Sequence, residues 1–519
     1  MLKRIAKAFL AFSFGQVIGF ASNILLVPLF LHVWSPAKYG EWLTLYSAVA
    51  YLTTLDMGVQ LYVINRLTQA YARGDLEDYR AVQHTAFAFY SALAAIAGLA
   101  VTAVAAFAPL RQWFSLTLTN QRVVVVVIAL LAFQYLSQLP GSIVFSAYRT
   151  TGNLALSQWV ANLKNAVTLG FTILALIFMP SFVAVASAQL AVYFFVLVFI
   201  LWDVRRRYPQ LMPSFSHARW DLLGGIVKPS MWFGGILFST MLVLQGSNLL
   251  VAGALGAAAV AVFVTTRTLA NSIRQIVNLF TNASWTDLTR LEAVDDRRRL
   301  SMAFRLLVFS TTAGCIAISA SLWFEGTSVI SFWTQGKLTP DPQLLHWFLL
   351  YLVLQTPWVT ASIIPCVSNR HRVTAIAYLA SSITGLSVAA LMVHHIGVVA
   401  LPAGLMIGEF LACYHFVIRD SCRVSGERYG RFASRLWVGM SGVCAVALLS
   451  TFAVHGMPFP MLVRWIASGA ASTIAVLISS WLFWLRSEDR TFVCEKAAGA
   501  IRGFRRRLPV TARGTAPNL

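Results

Sequence analysis

The sequence predicts an all-α integral membrane protein of about fourteen transmembrane helices: two pseudo-symmetric six-helix lobes followed by two further helices. Hydrophobic residues make up 58% of the 519 residues and charged residues only 11%, whereas soluble proteins are about 25% charged. Apolar runs of about 20 residues, the length that spans a bilayer, recur along the whole chain. Basic residues concentrate in alternate loops, as in multi-pass membrane proteins. The net charge of +21 is therefore attributed to orientation and contact with anionic lipid, and no nucleic-acid partner is predicted.

The apolar runs, taken in order, define the candidate helices. The first six are Phe9–Leu31, Trp42–Ile64, Thr85–Phe107, Val123–Phe145, Leu154–Met179 and Phe182–Trp202. The next six are Leu223–Leu250, Ala257–Thr281, Met302–Phe324, Leu345–Val367, Val373–His394 and Gly397–Phe416. The last two are Phe432–Val454 and Leu462–Leu485. The first run has no small-residue cleavage site near its end, so we expect it to be retained as a helix.

The distribution of basic residues predicts the orientation. Most of the 40 Lys and Arg residues fall in the segments that would face the cytoplasm if the N-terminus is inside. The predicted outer loops hold few of them, namely Lys38, Arg111, Arg122, Lys337 and Arg464. This bias predicts that both termini are cytoplasmic and that the helix count is even.

A weak internal repeat predicts the domain organisation. Leu139-Pro140 aligns with Thr356-Pro357 at an offset of 217, and Phe14-Gly15 aligns with Phe233-Gly234 at an offset of 219. Six helices per repeat is an even number, so both units should have the same orientation, related by an axis along the membrane normal. The predicted organisation is an N-terminal lobe over 1–203, a cytoplasmic linker over 204–221, a C-terminal lobe over 222–420, two additional helices over 421–486, and a basic cytoplasmic tail over 487–519.

The eighth run carries an unusual polar stripe. Arg267, Asn271, Arg274 and Asn278 follow i, i+4, i+7, i+11, which places them on one helix face. An arginine near the bilayer centre costs roughly 2.5–3.5 kcal/mol on insertion scales. The stripe therefore predicts a cationic lumen that binds an anion. The alternative is that both arginines snorkel or pair with carboxylates of neighbouring helices.

Other predicted helices also present polar faces, and in parallel repeats substrate sites lie between the lobes near the midplane. The predicted lumen residues in these helices are Gln16, Asn23, Gln60, Lys228 and Asn248. Asp56 and Glu409 are the candidates for ion coupling, because an intramembrane carboxylate can carry protons. For Glu409 the alternative is a buried pair with a cation, and for Lys164 structural and functional roles are both open.

Four stretches of the sequence resemble a known family. Residues 24–31 (ILLVPLFL), 35–41 (SPAKYGE), 51–58 (YLTTLDMG) and 248–256 (NLLVAGALG), the last followed by Arg267, are similar to the polysaccharide-transporter branch of the multidrug/oligosaccharidyl-lipid/polysaccharide (MOP) exporter superfamily. This branch contains the Wzx-type O-antigen flippases. The resemblance implies two six-helix bundles forming a V, a cationic lumen at Arg267, Arg274 and Lys228, and ion-coupled alternating access. It also implies that the protein lies in the bacterial inner membrane and crosses it several times.

The predicted function is therefore a flippase that moves polyprenyl-diphosphate-linked oligosaccharide to the outer leaflet, for lipopolysaccharide O-antigen or exopolysaccharide assembly. Its predicted partners are that lipid-linked oligosaccharide, membrane lipids, and a polysaccharide polymerase with its co-assembly proteins. The alternatives are a drug/cation antiporter of the same superfamily and a non-transporting component of an assembly complex.

An enzymatic activity is not predicted, because the loops are too short for a catalytic domain. No cofactor or metal is predicted either, since the six cysteines lack Cys-x-x-Cys spacing and His394 and His395 have no third ligand nearby.

Overall fold

A computed structural model describes residues 2–293, 296–368, 370, 372–485 and 488–491, and these contain helices and no strand. The helices of the first half are α1 (Leu2–Val33), α2 (Pro36–Ala50), α3 (Val59–Arg73), α4 (Leu76–Phe107), α5 (Leu110–Trp113), α6 (Gln121–Thr150), α7 (Leu154–Phe178) and α8 (Phe182–Arg207).

The helices of the second half are α9 (Leu223–Met241), α10 (Ser247–Leu255), α11 (Ala257–Ala293), α12 (Arg297–Trp333), α13 (Pro342–Ala361), α14 (Ile363–Val367), α15 (Arg372–Ile396), α16 (Ala400–Glu409), α17 (His415–Ser425), α18 (Tyr429–His455) and α19 (Met461–Phe483). Short 3-10 segments cover Tyr51–Asp56, Pro209–Leu211, Trp220–Leu222 and Gly397–Val399, and π-helical segments cover Leu242–Gly246 and Phe410–Tyr414. Apart from residues 488–491, the predicted basic tail lies outside the described residues.

Helix starts follow local sequence signals. The side chains of Ser35, Asp75, Asn120 and Ser181 each accept a hydrogen bond from the backbone N–H three residues later. The first N–H groups of a helix have no partner within the helix, and an apolar side chain cannot supply one. The four polar residues each satisfy one such group in the first turn of α2, α4, α6 and α8.

The apolar helices make this a multi-pass membrane protein. Among the described residues, eleven helical stretches are long and apolar enough to cross a membrane. One of them, Arg372–Ser425, contains two of the predicted runs. The second and eighth predicted runs are not among the eleven. The count of about fourteen crossings therefore stays a prediction.

Helix packing repeats between the two halves. α1 packs on α7 as α9 packs on α15, and α4 packs on α6 as α12 packs on α13. α8 contacts α6 and α7 as α16 contacts α13 and α15. Pro140 inside α6 and Pro357 inside α13 lie at equivalent places. The predicted pair of pseudo-symmetric lobes is confirmed, while the exact domain boundaries stay predictions.

The last two helices, α18 and α19, pack on α12 through buried charges. Glu325 of α12 accepts hydrogen bonds from His455 (2.8 Å) and Arg464 (3.0 Å) at one end. At the other end Arg305 pairs with Glu427 and with Asp489. Removing one partner of such a buried pair costs about 3–5 kcal/mol, so these pairs help to hold the appendage on the second lobe.

The predicted second helix differs from the structure, because the run Trp42–Ile64 is not one continuous helix. It breaks at the 3-10 segment Tyr51–Asp56, after which Met57 (φ 47°) and Gly58 (φ 72°) adopt left-handed conformations before α3 begins. Glycine takes this conformation at no steric cost. The prediction missed the break because a single Gly in an apolar run is a weak signal on its own.

Glycines allow α15 and α16 to approach closely. A Cβ on Gly404 would lie 2.6 Å from the carbonyl oxygen of Gly385 and 2.7 Å from the backbone nitrogen of Ala389. Backbone atoms cannot move aside as a flexible side chain can. Glu409 lies five residues further along, at the end of α16.

Gly404→Ala is expected to lower the stability of the second lobe by about 1–3 kcal/mol, the usual cost of overpacking. The matched control is Gly314→Ala in α12, where a new Cβ meets no atom within 4 Å and the better helix propensity of alanine should be neutral or stabilising. The measurement is the midpoint of thermal unfolding in detergent. Equal midpoints for the two variants would contradict the packing argument.

Candidate functional site

A cavity with a mixed apolar and polar lining lies inside the first lobe and reaches the second. Its volume is about 510 Å³, and it is bordered by the broken second helix, by α6, α7 and α8, and by Leu237 and Met241 of α9. Its polar lining consists of Thr53, Thr54, Asp56, Gln60, Tyr135, Gln138, Ser142, Lys164 and Tyr193. This volume is in the range of small-molecule sites.

Asp56 is held in the cavity wall by the helix break. Its carboxylate accepts a hydrogen bond from the backbone N–H of Gln60 (3.2 Å) and another from the hydroxyl of Tyr90. Because Asp56 precedes the first turn of α3, the carboxylate also lies at the positive end of that helix. The break thus places an intramembrane carboxyl group at the cavity wall with two hydrogen-bond donors.

Lys164 supplies a cation to the same cavity. It is half-buried in α7, and no described carboxylate forms an ion pair with its ammonium group. An intramembrane cation without a protein anion is costly, and such residues commonly mark substrate pathways. Lys164 is therefore suited to bind an anionic group that enters the cavity.

Arg267 lies in a separate and much smaller space. Its guanidinium donates to the carbonyl oxygen of Leu244 (2.8 Å) and to Oδ1 of Asn248 (2.9 Å), and it covers the ring of Phe263 at 5.0 Å. Leu244 belongs to the π-helical segment, where the i→i−4 bonding pattern of the α-helix is interrupted. Arg267 therefore satisfies a carbonyl oxygen in that segment.

The hydrogen bonds of Arg267 continue into the other lobe. Nδ2 of Asn248 donates to Oγ of Ser47 in α2 at 2.7 Å. Nearby, Gly40 lies so close to the backbone of Ala257 that no side chain fits between them, and Nε1 of Trp333 donates to the carbonyl of Ile24 (2.7 Å). These contacts join the two lobes on the predicted outer side, and α9 of the second lobe also packs on α3 and on the 3-10 segment Tyr51–Asp56 of the first.

Arg267, Asn271 and Arg274 line one cavity of about 20 Å³. That volume holds about one water molecule, so a diphosphate does not fit there in this conformation. Arg274 also interacts electrostatically with Tyr351, Tyr378 and Glu409. Three of the four residues of the predicted stripe therefore share one small space, and Asn278 does not line it.

Glu409 is 5% exposed and accepts several hydrogen bonds in the second lobe. The hydroxyl of Tyr351 donates to it at 2.7 Å, Nε1 of Trp358 donates at 2.8 Å, and the amide of Gln355 donates as well. These three donors satisfy the oxygens of the buried carboxyl group.

The residues predicted as one lumen therefore divide among several places. Asp56 and Gln60 line the 510 Å³ cavity, and Asn248 bridges the lobes. Gln16 is exposed on α1. The side chains of Lys228 and Asn23 lie outside the described part of the structure.

Sequence reasoning had left the role of Lys164 open and had not singled out Tyr135, Gln138, Ser142 or Tyr193. An isolated lysine in an apolar run was the one signal available for this group.

Comparison with known proteins supports the fold. No family model and no curated protein matches the chain. A structure described as lipid II flippase MurJ in an inward closed conformation has a TM-score of 0.69 at 11% identity, covering 92% of this chain and 98% of that chain. An inward-facing multidrug resistance transporter of the MATE family, in the MOP superfamily, scores 0.65 at 14% identity, with coverages of 81% and 98%.

An outward-facing MATE family structure scores 0.57 at 14% identity, with coverages of 82% and 96%. At these identities the similarity establishes a two-lobed fold shared with MurJ and MATE transporters. The resemblance to the polysaccharide branch stays a prediction.

Proposed function

We propose that this protein is a transporter that moves a polyprenyl-diphosphate-linked oligosaccharide across the inner membrane by alternating access. The observation that carries the proposal is the 510 Å³ intramembrane cavity with Lys164 in its wall and no paired carboxylate. Such a substrate combines an anionic diphosphate with a bulky polar glycan. The first needs a cation, and the second needs a wet cavity with amide and hydroxyl groups.

The two arginines of α11 extend this cationic path. Their guanidiniums are engaged by protein groups in the present conformation, and an outward opening of the lobes would break the Ser47–Asn248 hydrogen bond next to Arg267. The guanidinium can then exchange its protein acceptors for phosphate oxygens, which it binds in a bidentate manner. Asp56 and Glu409 are the proposed ion-coupling groups in this scheme.

Lys164→Ala is expected to slow transport by about tenfold or more, because hydrogen bonds to charged groups contribute about 1.5–3 kcal/mol and about 1.4 kcal/mol is a factor of ten. The measurement uses purified full-length protein in proteoliposomes and a polyprenyl diphosphate that carries a fluorescent oligosaccharide. Movement is followed by quenching of the dye in the outer leaflet. Lys337→Ala, which removes an exposed lysine from a predicted outer loop, is the control.

Three results would count against the proposal. If wild-type protein alone does not move the probe, the flippase function is refuted, and the antiporter and the non-transporting component are the two functions left. Equal rates for the two lysine variants would remove Lys164 from the substrate path. The antiporter alternative is favoured by the presence of Asp56 in the same cavity. Transport of a cationic dye that depends on Asp56 and not on Lys164 would establish that alternative.

A further inference from the structure

A basic pocket of about 620 Å³ lies where the predicted cytoplasmic ends of α18 and α19 meet. It is lined by Arg431, Ser434, Arg435 and Val438 of α18 and by Phe483 of α19. The four residues of α18 follow i, i+3, i+4, i+7 and therefore share one helix face. Phe432 and Leu436, on another face of the same helix, are buried. The pocket thus opens on the side of α18 that is turned away from the core.

Close packing of the two helices gives the pocket its shape. A Cβ on Gly442 would lie 3.2 Å from the ring of Phe483, and a Cβ on Gly439 would overlap the indole of Trp484. Trp484 is 1% exposed, and its ring stacks on that of Phe309 in α12 at 5.4 Å. The end of α19 is therefore fixed against α18 and α12, and the pocket does not need a ligand in order to form.

The start of α18 concentrates positive charge. Arg431 and Arg435 lie in its first two turns, and its first turn contains no acidic residue. The N-terminal end of a helix already carries a partial positive charge, so carboxylates are favoured there and cations are not. Two carboxylates at this end of the appendage, Glu427 and Asp489, pair with Arg305. The local charge of the pocket therefore favours an anionic ligand.

The spacing of the lining residues matches a phospholipid. Arg431 and Arg435 are about 6 Å apart along the helix axis at 1.5 Å per residue, which is close to the depth of one headgroup layer, about 5–8 Å. Val438 follows about 4–5 Å further along α18. It is 68% exposed and Phe483 is 45% exposed, and both belong to helices that are apolar enough to cross a membrane. A charged level is thus followed by an apolar one.

We infer that this pocket binds an anionic phospholipid, with the phosphate at Arg431 and Arg435 and the acyl chains on Val438 and Phe483. The guanidinium group matches phosphate oxygens in a bidentate manner. Basic pockets between membrane helices bind anionic headgroups on the cytoplasmic side, where the membrane surface is negative. A soluble phosphate ester would leave the two exposed apolar side chains without a partner, so a lipid is favoured. The bound lipid bridges the ends of α18 and α19 and so stabilises the appendage.

The test measures thermal unfolding of purified full-length protein in detergent, with added phosphatidylglycerol, phosphatidylcholine or glycerol 3-phosphate. Phosphatidylglycerol is expected to raise the unfolding midpoint, and the other two are expected to have little effect, because only the first combines a negative charge with acyl chains. The double variant Arg431→Ala/Arg435→Ala should need roughly 25-fold more phosphatidylglycerol for the same rise, since each basic residue near an anionic lipid contributes about a factor of five.

Two further variants separate a shaped site from general surface charge. Arg205→Ala/Arg206→Ala removes two exposed arginines at the predicted cytoplasmic end of α8 and should respond to phosphatidylglycerol as the wild type does. Ser434→Trp keeps both arginines and fills the pocket from an exposed position. It should lose the response to phosphatidylglycerol while its midpoint without lipid stays near that of the wild type.

Equal responses to phosphatidylglycerol and phosphatidylcholine would overturn the inference, as would equal lipid requirements of the two double variants. A normal response of Ser434→Trp would show attraction to surface charge in general and would also overturn it. A rise with glycerol 3-phosphate as large as that with phosphatidylglycerol would assign the pocket to a soluble phosphate ester. These outcomes are independent of the proposed transport, which is measured with the fluorescent lipid-linked oligosaccharide.

Discussion

Replacing Arg267 with alanine is expected to abolish glycan export while the protein still inserts in the membrane. The substitution removes the guanidinium proposed to bind the diphosphate, and it leaves the carbonyl of Leu244 and the amide oxygen of Asn248 without their donor. Each unsatisfied buried group costs about 1–3 kcal/mol, so the amount of inserted protein should fall as well. The measurement is therefore surface glycan per unit of inserted protein. Arg267→Lys should restore export only partly, because lysine keeps the charge and loses the bidentate geometry.

Two controls separate substrate binding from a structural role of Arg267. Ser47→Ala breaks the hydrogen bond between the lobes without touching the guanidinium, and Arg298→Ala removes an exposed arginine at the start of α12. If Ser47→Ala reproduces the loss of export, Arg267 acts by holding the lobes together. Normal glycan per inserted protein in Arg267→Ala and Arg267→Glu would refute any contact with substrate.

Glu409→Ala is expected to cause the largest loss of stability. It deprives the Tyr351 hydroxyl, the Trp358 indole N–H and the Gln355 amide of their acceptor, and it removes the carboxylate next to Arg274. Each buried donor left without an acceptor costs about 1–3 kcal/mol. A marked fall in the detergent unfolding midpoint is the expected result. Asp221→Ala, which breaks an exposed pair with Arg219, should change stability by less than about 1 kcal/mol.

Glu409→Gln separates packing from ion coupling. The glutamine side chain keeps one acceptor oxygen and loses the charge, and its NH2 group faces one of the present donors. Transport by this variant is measured across imposed proton and sodium gradients. A near-normal midpoint with transport that no longer responds to either gradient would assign the coupling to Glu409. Unchanged gradient dependence would leave the residue with a structural role.

The sequence by itself determined the fold class and the repeat. Apolar runs of bilayer length leave few alternatives to helices, because backbone groups in lipid must be satisfied within the segment. The paired Pro140 and Pro357 reflect the two-lobe architecture that the packing of the helices shows. The polar stripe of α11 was also predicted, since a helical period of 3.6 residues places Arg267, Asn271 and Arg274 on one face.

Only the tertiary structure decided which polar groups share a space. Helical periodicity places a residue on a face, but it does not say which helix that face meets. Lys164 and Asp56 line one cavity because α7 and the broken second helix both border it, and that break depends on backbone conformations at Met57 and Gly58. Arg267 was instead enclosed with a carbonyl of the π-helical segment and with Asn248. Such contacts join residues far apart in the chain, and their geometry depends on how closely the helix backbones approach, which a pattern of hydrophobic residues does not encode.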